Sequence, residues 1–447
     1  MIVGSAVADN SRVGMASGEV RAFDARTGAL RWTFHPLPPG IAAGGANAWS
    51  RIVVDEAHGL AFVPTGSASP DYFGGLRIGE DGYANSLVAL NAATGEVGWH
   101  FQTVHHDLWD YDAAAPALLF PGTSGPAVAA GSKSGHLFLF DRLRGAPLFP
   151  IVERAVPASD VPSEEAASTQ PFPVMPESLS PQRVTENDLW GPTPEDINAC
   201  RRTLRELRNE GVFTPPATSG SLHVPGNIGG LHWGGMAWDP AHRLLIAPVN
   251  HWPAAVRLLP RSELEEARRA FPTRETTEQD GAPYSVSREF FLSPSGAPCV
   301  KPPWGELVAV RPDTGEVAWR VPLGDLSERW PASPAPTGSP NLGGPATTDT
   351  GLVFIGATID GYFRAFATRD GRELWKARLP ASARATPLIF TTKDDAGGGA
   401  RQMVTIAAGG HDFPDVPLDT KLVVFSLGPS YAFESIRSRN GGVCRGT

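Results

Sequence analysis

The stretch "VRAFDARTGALRWTF", Val20–Phe34, decides the fold. Apolar residues alternate over its first half, a turn carrying Gly28 follows, and a second short run ends on Trp32. The same pattern returns as "LVALNAATGEVGWHF" (Leu87–Phe101), "LVAVRPDTGEVAWRV" (Leu307–Val321) and "FRAFATRDGRELWKA" (Phe363–Ala377). Alternation suits half-buried antiparallel strands, and the glycine suits a hairpin position that needs positive φ. "LFLFDRLRGAPLFPI" (Leu137–Ile151) is a degraded copy without the tryptophan.

A second unit recurs beside the first. "VVDEAHGLAFVPTG" (Val53–Gly66) is echoed by "AWDPAHRLLIAPVN" (Ala237–Asn250) and "TTDTGLVFIGATIDG" (Thr347–Gly361). Each reads as a strand pair joined by an acidic turn. Together the two units make a four-stranded sheet with one tryptophan tag, and the tags recur at a spacing somewhat longer than the ~40–50 residues of a propeller blade. A periodic Gly/aromatic tag per sheet is the signature of a β-propeller, and the repeated tryptophans are read as packing between blades.

About six blade equivalents can be counted over residues 1–427, with 428–447 left as a C-terminal tail. The period breaks at about 152–231 and 252–304, stretches rich in Pro, Ser and charge. These read as insertions on one face, where loops carry function. "EDINACRRTLRELRNEG" in the first has Leu204 and Leu207 spaced for a short surface helix. The opening residues "MIVGSAVADNSRVG" lack the basic and apolar regions of a signal peptide and read as a strand already under way.

Composition agrees with a turn-rich β protein. Of 447 residues, 49 are Gly and 43 Pro, 41% are hydrophobic and 19% charged. A net charge of −9 without any basic run excludes a nucleic-acid partner. No apolar run reaches the ~20 residues of a membrane-spanning helix. The three cysteines, Cys200, Cys299 and Cys444, have no zinc-type spacing. A Cys200–Cys299 disulfide and free thiols both remain open.

One segment concentrates polar groups: "FQTVHHDLWDYD", Phe101–Asp112, holds two histidines, three acids and a tryptophan. Spacing alone does not choose among a metal site, an acid/base site and an ordinary loop. Adjacent residues of an extended segment point oppositely, so His105 and His106 are read as structural rather than as joint ligands.

The tagged repeats together with "TVHHDLWDYD" resemble the pyrroloquinoline quinone (PQQ)-dependent dehydrogenases, nearest to the membrane-bound glucose and quinate branch. "PTGSASPDYFGG", "GVFTPPATSGSLHVPGNIGG", "FLSPSGAPC", "PNLGGPATTDTGLVFIGAT" and "IAAGGHD" follow in the family's order, so the likeness runs over nearly the whole chain. The resemblance implies an eight-bladed propeller, here incomplete at the N-terminus, holding PQQ with Ca²⁺ or Mg²⁺. It implies oxidation of a sugar or cyclic polyol, with electrons passed to a quinone, in the periplasm. It also implies membrane association through N-terminal sequence that this chain lacks.

Carried over residue by residue, the resemblance makes Asp110 the base that takes the proton of a substrate hydroxyl while hydride passes to the quinone. Lys133 in "AAGSKSGHLF" matches the cation beside the PQQ carbonyl, and Trp49 in "ANAWSRIVVD" the floor beneath the flat cofactor. Asp9 and Asn10 in "AVADN" match a pair associated with the metal, to which Asp110 also belongs. Hard cations choose such oxygens. His411 in "AAGGHD" matches a histidine near the substrate entrance. Asn250 is assigned to the cofactor where the branch has an asparagine nearer Pro248. Two other readings stand beside the enzyme: a non-catalytic propeller scaffold, which would not need "HDLWD", Lys133 or the Asp9–Asn10 pair, and an inactive truncated remnant.

Overall fold

The computed structural model describes all residues except 42, 78–81, 273, 335, 394–399, 412–415, 428–432 and 435–447. Among the described residues, six of the eight antiparallel sheets follow one another along the chain as the repeated units. The first has three strands, Ile2–Val3, Val20–Phe23 and Leu30–Phe34. The second has four, Val53–Asp55, Leu60–Pro64, Ser86–Asn91 and Val97–Gln102. The third, Leu118–Gly122, Gly125–Gly131 and Leu137–Asp141, is the one whose tag is degraded. The fourth combines Ala237–Asp239 and Leu244–Asn250 with Gly305–Val310 and Val317–Pro322. The fifth and sixth are regular four-stranded meanders, the last completed by Phe433–Glu434 from the tail, whose other residues lie outside the described ones. These sheets are the blades.

The sequence tag has two halves that meet across blades. Trp32 lies on the Gly95 turn of the next blade, where an added β-carbon would come within 2.7 Å of the indole, and its Nε1 donates to Ala92 O at 3.1 Å. Trp99 lies on Gly145 and donates to Arg142 O at 3.0 Å, and Trp319 lies on Gly371 and donates to Thr368 O at 2.8 Å. Each glycine has positive φ, so the turn needs it for conformation as well as for space. The degraded tag keeps the contact: Phe149, at the tryptophan position of its repeat, packs with Met175 against Gly315. The third and fourth blades are therefore neighbours despite the long insertion between them.

Trp32 is buried, whereas Trp99, Trp319 and Trp375 are half-buried. The packing between blades expected of these tryptophans is one-sided at the last three: they sit on outermost strands, one indole face on the neighbouring blade and the rest at the rim. The same four hairpins also share a register shift just before the turn, at Ala22/Phe23, Ala89/Leu90, Ala309/Val310 and Ala365/Phe366. Such bulges add twist, which blades require.

The insertions form their own layer. Ile151–Ala155 pairs with Thr169–Pro173, and Pro194–Glu206 is the expected helix. Thr193 caps it by accepting from Asp196 N at 3.1 Å, with Pro194 at the first helical position. Cys200 on this helix is disulfide-bonded to Cys299, which resolves the open alternative. The chain of the fourth blade also carries a separate four-stranded sheet, Ser221–His223, Ala254–Pro260, Tyr284–Phe290 and Glu275–Thr277. Most of it is inserted between two strands of that blade, and it reaches the site described next.

Candidate active site

The polar dodecapeptide leaves the second blade's last strand and folds inward. Its centre is Asp107, fully buried. One carboxylate oxygen accepts from Trp109 N at 3.0 Å; the other accepts from Tyr111 N at 2.9 Å, Asn85 Nδ2 at 3.0 Å and the Ser67 hydroxyl. Arg77 donates to its backbone carbonyl. Trp109 Nε1 reaches across to Thr214 O at 2.7 Å. This clamp holds Asp110 at φ 60°, a left-handed conformation that costs a non-glycine residue about 1–3 kcal/mol and persists only when its surroundings over-determine it. His105 and His106 bind the insertion: His105 N donates to Gln170 Oε1 at 2.8 Å, and His106 Nε2 lies 3.3 Å from Glu164 Oε1.

Asp110 projects into a cluster of charge. Lys133 Nζ lies 2.6 Å from Asp110 Oδ1 and 2.9 Å from Asp112 Oδ2. Trp49 Nε1 donates to Asp112 Oδ2 at 3.2 Å, and Lys133 Nζ stands 5.6 Å from the centre of the Trp49 ring. Asp112 Oδ1 is held by Ser67 N at 2.8 Å. Burial raises the pKa of Asp110 to about 6, with Lys133 pulling it down, Asp112 pushing it up and Arg288 pulling it down. Burial alone would lower the pKa of Lys133, but Asp110 and Asp112 outweigh it, and the ammonium is held firmly protonated.

Asp9 joins the same cluster. Burial, then the charges of Asp112 and Asp110, push its carboxyl up to about 8. The structure thus brings Asp9, Trp49, Asp110 and Lys133 together from four separate segments, with Asn10 half-buried in the turn after Asp9. Asn250 and His411 lie in an adjoining polar layer. The Asn250 carboxamide donates to Gly229 O at 3.2 Å and Asn341 O at 2.9 Å and accepts from Asn341 N at 2.8 Å. Its backbone N donates to Gly230 O at 3.0 Å, and Gly230 N donates to Lys133 O at 2.8 Å, so Asn250 braces the lysine from behind. His411 is buried with Nε2 3.0 Å from Ala357 O, near His232.

Sequence reasoning missed three groups here. Asp71 and Tyr72 stand in "PTGSASPDYFGG", a phrase used only for its likeness, and Arg288 lies in an insertion without repeats to anchor it. Tyr72 OH lies 3.5 Å from Asp110 Oδ2, as does Arg288 Nη1, which also donates to Tyr72 OH at 2.9 Å. Burial, then Asp110 and Asp9, raise the pKa of Asp71 well above the carboxylate range, and its Oδ1 is buried with no hydrogen-bond partner among the described residues.

Carboxylates outnumber cations around Asp110, and an orphaned carboxylate oxygen sits among them. That excess of hard oxygen fits a divalent cation. Among the described residues no three His, Cys, Asp or Glu side chains are gathered as a ready cage. A flat cofactor also has room: Trp49 and Trp233, with Arg51, Pro116 and Thr386, line a cavity of about 400 Å³. Neither this cavity nor a larger one of about 520 Å³, between Ser180, Pro225, His251 and Glu306, is lined by the clustered aspartates; the first shares Trp49 with their cluster.

Residues 1–403 match the family described as "PQQ: Glucose/ethanol/alcohol dehydrogenase, beta-propeller domain". The chain belongs to the PQQ-dependent dehydrogenase family. Among its relatives, the quinate/shikimate dehydrogenase (quinone) of Acinetobacter baylyi is 38% identical over 92% of this chain and 54% of its own length. The quinoprotein glucose dehydrogenase of Escherichia coli is 36% identical over 96% of this chain and 56% of its own. The chain thus spans about half the length of these curated relatives. The quinohemoprotein alcohol dehydrogenase of Comamonas testosteroni shares the fold, with a TM-score of 0.64 at 21% identity, over 100% of this chain and 60% of that one. Among the described residues of this PQQ-family propeller, no helix is long and apolar enough to cross a membrane.

Proposed function

We propose that this chain is the catalytic propeller of a PQQ-dependent dehydrogenase that oxidises a hydroxyl of a sugar or cyclic polyol and passes the electrons to a quinone at the periplasmic side of a membrane. The observation that carries the reading is the Asp110–Lys133 pair at 2.6 Å, set beside the Trp49 indole. A scaffold propeller has no use for a strained, buried carboxylate held against a buried ammonium.

PQQ, when bound, supplies the two-electron acceptor for the hydride of the alcohol carbon. The chain does the rest. Asp110 takes the hydroxyl proton on Oδ2, the oxygen turned away from Lys133, so the C–O bond gains double-bond character as the C–H bond breaks. Lys133, fixed as a cation by Asp110 and Asp112, stabilises negative charge developing near its ammonium. Trp49 offers a flat apolar face. Asp9, Asn10 and Asp110 would hold Ca²⁺ or Mg²⁺, relieving the mutual repulsion of the carboxylates.

The test is turnover. With PQQ and Ca²⁺ or Mg²⁺ added, the chain should reduce an artificial acceptor when given an aldose or a cyclic polyol. Full turnover by Asp110→Asn would refute the mechanism, and no turnover with any such alcohol despite bound PQQ would refute the activity.

A further inference from the structure

The larger cavity, about 520 Å³, stands behind the charged cluster, and the alcohol chemistry above gives it no task. Two chains of contact join it to the site. Tyr111, next to Asp110, donates its hydroxyl to the carbonyl of Pro225, which lines the cavity. Lys133 O accepts from Gly230 N at 2.8 Å, and Gly230 O accepts from Asn250 N at 3.0 Å. Asn250 O in turn accepts at 3.1 Å from the hydroxyl of Ser180, another lining residue. Leu179, Val184, Val224 and Val300 make much of the wall, with prolines between them. The polar groups gather on the fourth blade, where the side chains of His251 and Glu306 are 10% and 11% exposed. Arg183 and Lys301 stand exposed at the rim.

His251 is set up to exchange a proton. Its Nδ1 lies 2.9 Å from Pro303 O, which can only accept, so the ring carries a proton there. Nε2 is buried and makes no hydrogen bond among the described residues, although Glu306 Oε2 lies 3.2 Å away. Burial outweighs the pull of Glu306 and Pro303 and holds the imidazole below its ordinary pKa. A proton taken on Nε2 is therefore readily given up. Glu306 is itself answered by Arg320 Nη1 at 3.0 Å, so this wall has no surplus charge that asks for an ion. A mostly apolar cavity with one or two placed donors suits a neutral ligand whose oxygens accept. A sugar would leave hydroxyls unpaired against valine and proline.

We propose that this cavity receives the electron acceptor, a benzoquinone, with His251 Nε2 serving one of its carbonyl oxygens. This rests on the dehydrogenase reading above. Oxidation of the alcohol releases two electrons and two protons; one benzoquinone takes up the same and leaves as its hydroquinone. His251 delivers one of those protons, and the other enters from solvent at the rim. With the layer of Gly230 and Asn250 between the two sites, alcohol and acceptor are bound at once without competing.

The experiment reads quinone binding apart from alcohol oxidation. The full chain with PQQ and Ca²⁺ is titrated calorimetrically with duroquinone in the absence of alcohol, as wild type, His251→Gln and Val184→Phe. Turnover of an aldose or cyclic polyol is then measured with duroquinone and with ferricyanide, a small hydrophilic acceptor. The wild type should bind one duroquinone with the cofactor in place. His251→Gln, the conservative variant, should raise its Kd and KM about 3- to 10-fold, the worth of one hydrogen bond, and leave ferricyanide turnover unchanged. Val184→Phe, which fills the cavity, should weaken duroquinone further. A wild type that binds no duroquinone once PQQ is present, or two variants that bind it as tightly as the wild type, overturns the proposal. Ferricyanide turnover without duroquinone turnover sinks this inference alone. Duroquinone binding weakened by both variants, with neither acceptor reduced, sinks the dehydrogenase reading and leaves the quinone site standing.

Discussion

Lys133 Nζ lies 2.6 Å from Asp110 Oδ1 and holds that carboxylate through one oxygen only. The second oxygen faces Tyr72 and Arg288 at 3.5 Å, beyond a strong hydrogen bond, which leaves it able to take a proton. On the proposed mechanism the pair divides the labour of an alcohol oxidation between a base and a fixed positive charge.

Asp110→Asn keeps the shape and removes the proposed base. The expected outcome is a fall in kcat of about 10²–10⁴-fold with PQQ binding largely intact, measured by steady-state turnover and a cofactor titration on the same preparation.

Burial raises Asp110 to about 6, and the base works only when ionised. Activity should therefore fall as pH drops through that region. A bound divalent cation adds positive charge and moves the acid limb lower still. The pH profile of kcat/KM at saturating Ca²⁺ checks this; an acid limb above pH 7 contradicts it.

Much of the fold was legible because a propeller repeats itself. Gly95 and Trp32 belong to different copies of the tag, and repetition alone showed both; that they touch each other was not visible until the blades stood side by side. Phe149 shows the reverse case, a copy that lost its tryptophan and kept an aromatic in the same contact. The site was legible only through resemblance, since Asp9, Trp49, Asp110 and Lys133 come from segments that no local rule connects. Asp112 was in the quoted dodecapeptide, but which of three acids orders the loop and which faces the cavity depends on backbone direction at Asp110. Arg288 had neither repeat nor motif to mark it.

The blade contact makes a stability prediction. Gly95→Val sets a side chain into the Trp32 ring as well as straining a φ of 77°, and should destabilise by about 2–5 kcal/mol. Gly28→Val, at φ 72° with nothing within 4 Å, carries only the backbone strain and should lose about 1–2 kcal/mol. Denaturant melts of the two variants separate packing from conformation; equal losses would count against the tag as an inter-blade contact.

The Cys200–Cys299 bond ties the inserted helix to the strand-rich insertion across 99 residues of sequence. Chain-entropy arguments put such a cross-link at about 2–5 kcal/mol. Cys200→Ser should lower the thermal midpoint of the oxidised protein, and adding reductant to the wild type should lower it to match. A midpoint indifferent to reductant would contradict this.

The central claim is that the Trp49–Lys133–Asp110 cluster receives the cofactor. Titrating the chain with PQQ in the presence of Ca²⁺, as wild type and as Lys133→Ala, tests it most directly. The account predicts saturable one-site binding that weakens by about tenfold or more without the ammonium, because a charge-assisted contact is lost. PQQ binding left unchanged by Lys133→Ala, or no binding to the wild type, would contradict it.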